Sequence, residues 1–158
     1  MATFSFRRAY TVTEYSDQHG LIGLEAPNQT FKRGNLISND TNGLLQATPA
    51  GAGALVPSVL ANADGQNLAA PVKLTPYVQT QATAVFEITA GGAVASAANL
   101  KRGTKYGYNI DATTGVGYLD LANITNQVFQ LERTGPVNGA IGDTNVRVYA
   151  KLLVAVQN

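Results

Sequence analysis

The sequence predicts an all-β chain, mainly antiparallel, folded as a barrel or sandwich of short strands with at most one short helix and an extended N-terminal arm. Three observations carry that expectation. Turn signals recur at close intervals along the 158 residues, apolar and polar residues alternate with period two between them, and only one stretch has the composition of a helix.

The first sixteen residues set Phe4, Phe6, Tyr10, Val12 and Tyr15 among Thr, Ser and Arg, which reads as an arm or first strand over 1–16. Residues 17–158 then form a single β-rich domain, since a second full domain does not fit the length. Asp17 to Gly20 is a turn, Leu21 to Glu25 a short apolar piece, and Thr30 to Ser38 a strand interrupted at Gly34. The Asn42-Gly43 pair predicts a hairpin that resumes at Leu44. Residues 47–71 are dominated by Ala, Gly and Pro and read mostly as loop, with Val59-Leu60-Ala61 as a brief strand and a turn at Asp64-Gly65.

From Val72 to Ala90 the chain is β-prone, with Phe86 and Ile88 on one face, and Gly91-Gly92 stops it. Ala93 to Leu100 is the helix candidate, with Lys101, Arg102 and Gly103 shaped like a helix end. A second hairpin follows: Tyr106, Tyr108 and Ile110 alternate, Asp111 to Gly115 turns, and Val116 to Leu121 returns. Gln127 to Arg133 puts Phe129 and Leu131 on one face. The alternation from Asn145 to Val156 is long enough for a central strand. No sequence repeat of fixed period argues for a solenoid or propeller.

Charged residues are 13% of the chain, and eleven Lys and Arg balance ten Asp and Glu to a net charge of +1, so no overall field draws in nucleic acid or an anionic membrane. Without cysteine there is no disulfide, thiolate metal site or cysteine nucleophile, and one histidine, His19, cannot form a two-histidine metal site. No cofactor is expected. The N-terminus lacks the apolar run of a signal peptide, which predicts folding in the cytosol where the chain is made.

Reactive constellations are poor. Ser16, Asp17 and His19 lie within four residues, too close to converge as a triad, and ordinary turn chemistry accounts for them. Asp111 and Asp120 flank the second hairpin as a conceivable carboxylate pair, and Gly115-Val116-Gly117 is too little of a dinucleotide fingerprint. The pairs Arg7-Arg8, Lys32-Arg33 and Lys101-Arg102 read first as solvated charges, with protein contact by Arg7-Arg8 as the functional alternative. A low-charge surface of short side chains suits broad packing against protein, because little side-chain entropy is lost and few charges are desolvated. These features predict a non-enzyme built to assemble.

The run Lys105-Tyr106-Gly107-Tyr108-Asn109-Ile110-Asp111, then Gly115-Val116-Gly117-Tyr118-Leu119-Asp120, Asn123-Ile124-Thr125-Asn126, Phe129-Gln130-Leu131 and Gly142-Asp143-Thr144-Asn145 before a terminal β run, resembles tailed-bacteriophage capsid decoration (cement, head-stabilising) proteins. Phe31 to Ile37, Asn42 to Leu45 and Val59 to Ala61 follow in the order expected of such small β proteins. The resemblance implies a structural virion protein on the capsid exterior that contacts the major capsid protein and itself, commonly as a homotrimer. Phe4, Phe6 and Tyr10 are then expected as anchors, and Arg7 and Arg8 as partners of carboxylates on the shell or a neighbouring copy. The alternative is a receptor- or glycan-binding β domain of a tail or fibre, with Tyr106, Tyr108 and Tyr118 as its stacking platform.

Overall fold

The structure, a computed structural model, describes residues 6–11, 21–48, 59–61, 63–70, 74–78 and 84–153. They contain eleven strands: β1 Phe6–Thr11, β2 Leu21–Leu24, β3 Leu36–Asn39, β4 Leu45–Ala47, β5 Val59–Ala61, β6 Leu74–Val78, β7 Ala84–Gly91, β8 Lys105–Ile110, β9 Gly117–Asp120, β10 Phe129–Leu131 and β11 Val146–Leu152. The all-β expectation holds.

Five strands close into a barrel in the order β7-β11-β10-β8-β9, and the seam is a parallel pairing of β7 with β9 through Ala90–Leu119 and Gly91–Asp120. Every other pairing in it is antiparallel. Strand β11 is central, as its length predicts, and its side chains alternate: Val146, Val148, Ala150 and Leu152 are buried while Arg147, Tyr149 and Lys151 are less so. Inside the barrel, Tyr108 and Phe129 meet with ring centroids 6.4 Å apart and planes tilted by 58°. Ile88, Leu119, Leu131 and Val148 are among the residues that pack with them. Each fully buried Leu, Ile or Phe stabilises the fold by about 1.5–3 kcal/mol.

The remaining strands form a second sheet, β2-β6-β5-β3-β4. A parallel bridge from Glu25 to Leu45, with the Ala26 N–H donating to the Leu45 carbonyl at 2.8 Å, brings its two ends together. Numbering β2 to β6 and β7 to β11 each as first to fifth, both sheets run first-fifth-fourth-second-third, and in each the first and third strands meet in parallel. The chain therefore uses one strand order twice.

Strand β3 joins the two units. Neighbouring strand residues point to opposite faces, and Leu36 enters the barrel core while Ile37 packs with Phe31, Leu45 and Ala61 in the other sheet. Strand β1 adds to β7 antiparallel from Phe6–Ile88 to Thr11–Ala84, with an irregularity between Arg8 and Tyr10. Because β11 holds the opposite edge of β7, β1 and then β9 share one edge in succession.

The Asn42-Gly43 hairpin forms as expected. Gly43 has φ +79°, the Asp40 carboxylate accepts from the Asn42 and Leu44 N–H groups, and β3 pairs with β4. Val59–Ala61 is a strand as expected, and so is the returning arm of the second hairpin. The strand expected over Thr30 to Ser38 begins only at Leu36, after a turn at Arg33-Gly34 where Gly34 has φ +87°.

The helix expected over Ala93 to Leu100 does not form. What remains is one turn, with the Leu100 N–H donating to the Ser96 carbonyl at 3.0 Å and Ser96 and Asn99 capping each other. Ala95 instead spends both backbone groups on the 140–143 segment, donating to the Asp143 carbonyl and accepting from the Gly142 N–H. Long-range pairing overrides the local preference.

Candidate protein-contact surface

Two loops lie together at the barrel end where β7 finishes and β11 starts: 92–104 and 132–145. Besides the Ala95 pair, the Gly135 N–H donates to the Leu100 carbonyl at 2.8 Å and the Arg102 N–H to the Thr134 hydroxyl at 3.1 Å. The Asp143 carboxylate accepts the Ala140 N–H, and the Asn99 side-chain amide donates to the Val94 carbonyl. Backbone bonds thus fix loops whose side chains are mostly small.

That fixed surface carries apolar groups into solvent. Val94 is 51% and Ile141 52% exposed, and each directly precedes a residue of the hydrogen-bonded Ala95–Gly142 pair. Ile124, on the loop after β9, is 64% exposed. Lys101 and Arg102 are exposed on the same loop as Val94. Holding apolar groups outward on a rigid frame suits a protein contact, since little freedom remains to be lost on binding. Sequence reasoning misses Val94 and Ile141, whose only signal is an aliphatic residue close to glycine in Gly91-Gly92-Ala93-Val94 and Ala140-Ile141-Gly142.

Of the arm residues expected to make contacts, Phe6, Arg7, Arg8 and Tyr10 lie on β1, and Phe4 lies outside the described residues. In Cα register Arg7 stands opposite Glu87 and Arg8 opposite Phe86 of the same chain. The Glu87 carboxylate already accepts from Arg147 Nε at 3.0 Å, while the other Arg147 nitrogens reach the Thr89 hydroxyl and the Glu87 carbonyl. Ser16, Asp17 and His19 also lie outside the described residues.

Other expected groups are occupied structurally. Tyr106 and Tyr108 are 2% and 1% exposed, so they fill the barrel and do not form a surface stacking platform. Tyr106 donates its hydroxyl proton to the Asn99 carbonyl. Burial raises the pKa of both phenols, in Tyr108 against a smaller opposing effect of a hydrogen bond with the Leu36 backbone. Asp111 accepts from the Thr114 N–H and hydroxyl and the Thr113 N–H, and these bonds hold its carboxyl below the ordinary value. Asp120 accepts from the Asn109 amide and the Ala122 N–H. Each aspartate caps its own turn, and Asp120 also ties β9 to Asn109 on β8.

Lys32 pairs with Asp64 at 3.5 Å, and Asp64 also accepts the Arg33 N–H. Among the described residues no group of three His, Cys, Asp or Glu could hold a metal ion, and no helix is long and apolar enough to cross a membrane. Comparison of the chain with protein-family models, curated proteins and solved structures finds no match.

Proposed function

We propose that this chain is a structural virion protein that binds the outer surface of an assembled phage capsid and stabilises contacts between major capsid subunits. The observation that carries the reading is the barrel end, where Val94 and Ile141 stand exposed on loops fixed by backbone bonds. A surface held by backbone bonds that turns aliphatic groups into solvent suits repeated docking on a protein lattice better than it suits chemistry. The all-β fold and the low share of charged residues point the same way.

Binding that favours the assembled shell stabilises it by RT ln(1 + [L]/Kd) at each site, so many modest contacts add to a large barrier against rupture. Sedimenting purified chain with heads that lack it tests the reading. Saturable co-sedimentation that Val94→Asp and Ile141→Asp weaken is expected, and failure of the parent chain to bind would overturn it. The tail-fibre alternative has lost its platform, because Tyr106 and Tyr108 are buried.

A further inference from the structure

The twofold use of one strand order exposes an asymmetry. In the barrel, the first strand β7 carries β11 on one edge and an added strand, β1, on the other. In the second sheet, the first strand β2 carries β6 on one edge through Leu21–Tyr77 to Leu24–Leu74. Among the described residues its other edge meets β4 only at the Glu25–Leu45 bridge. Matching that bridge to the β7–β9 seam aligns Leu21–Gly23 with the part of β7 that β1 covers. Among the described residues, no strand lies on that edge of β2.

The outer edge of β1 is likewise uncovered among the described residues. The end strand β4 differs: Leu45 accepts from Ala26, and the Ala47 N–H donates to the Gln29 side chain at 2.9 Å. Open edges of two kinds on one chain complement each other, because backbone donors and acceptors add a strand wherever an edge is bare. Charge selects the pairing. Two β1 strands side by side would bring together Arg7 and Arg8 from both copies, whereas β2, Leu-Ile-Gly-Leu, has no charge to repel them.

We propose that the outer edge of β2 at Leu21–Gly23 is a strand-acceptor site, filled by the β1 strand of a second copy, so that copies join head to tail. An interface of two different surfaces closes into a ring when its rotation permits. In an antiparallel sheet a strand turns the backbone groups of alternate residues to its two edges, so on the outer edge of β1 the register shifts by one residue from that of β1–β7, setting Arg8 of one copy opposite Ile22 of the next, and Arg7 opposite Gly23.

The absence of cysteine makes the test clean. Full-length Arg8→Cys and Ile22→Cys are mixed under mild oxidation. A disulfide-linked dimer should form roughly 100-fold faster than in either variant alone, since pairing raises the effective thiol concentration, and the double variant should yield a ladder ending at one closed ring. Arg7→Cys with Gly23→Cys repeats the test should either first variant fail to fold. Absence of the mixed dimer, dimers of the Arg8→Cys chain alone, or a disulfide within one double-variant chain would overturn the proposal. The readout uses purified protein only, so it is independent of whether the chain binds heads.

Discussion

Asn35 holds Gly117 across the junction of the two β units. Its side-chain oxygen accepts the Gly117 N–H at 2.7 Å, while its amide donates to the Gly115 carbonyl at 2.8 Å. The residue is 1% exposed, its own N–H donates to the Lys32 carbonyl, and its carbonyl accepts from Ala61. One side chain therefore ties the turn before β3 to the turn before β9. Asn35→Ala strands a buried donor and acceptor and should cost about 1–3 kcal/mol, read as a lower urea midpoint with little change in slope.

Gly117 meets a second constraint from Tyr108. A Cβ at this position would collide with the Tyr108 hydroxyl and ring, so the ring lies against bare backbone. Gly117→Ala should destabilise by about 1–3 kcal/mol through overpacking. In a double-mutant cycle with Tyr108→Leu, the double variant should lose less than the sum of the two single losses, with a coupling of about 0.5–3 kcal/mol. Simple additivity would contradict the contact.

Arg147 and Glu87 form the best-buried ion pair described, with side chains 17% and 11% exposed. Breaking a buried pair from one side costs about 3–5 kcal/mol, and residual solvent access lowers that here to roughly 2–3 kcal/mol for Arg147→Met. Replacing both, as Arg147→Met with Glu87→Leu, should cost less than the single change, as chemical denaturation will read.

The pH dependence follows from the tyrosines and Asp111. Burial raises the pKa of Tyr106 and Tyr108, and burial with the charges of Asp120 and Asp111 raises that of Tyr118, all from 10.0. A phenol held neutral by the fold contributes stability that is complete below the unfolded value and is lost as pH climbs from about 10 toward the folded values. Stability should fall above that pH, and Tyr108→Phe should flatten the slope. Asp111 works in reverse. Its lowered pKa gives stability present above the ordinary 3.8 and lost as pH drops through the folded value, so Asp111→Asn should remove part of the acid sensitivity.

Much of the strand pattern is legible in the sequence because it is local. Asn42-Gly43 supplies the positive φ that a tight hairpin needs, and the alternation of Val146, Val148, Ala150 and Leu152 matches a strand with one face in a core. Contacts set by distant residues are not legible in this way. Ala93 to Leu100 has a helix composition, yet Ala95 is claimed by Gly142 and Asp143. The alternation that sets Tyr106 and Tyr108 on one face cannot tell a barrel interior from a binding platform. The parallel β7–β9 seam and the repeated strand order leave no short-range trace, and Asn35 looks like any turn asparagine until Gly117 is beside it.

The capsid reading meets its most direct test in purified virions, by electron microscopy with the copy number of this chain counted. The account predicts a fixed number of copies at repeated positions on the head exterior, with the Val94 and Ile141 end facing the major capsid protein. Particles that lack the chain, or carry it only on the tail, would contradict it.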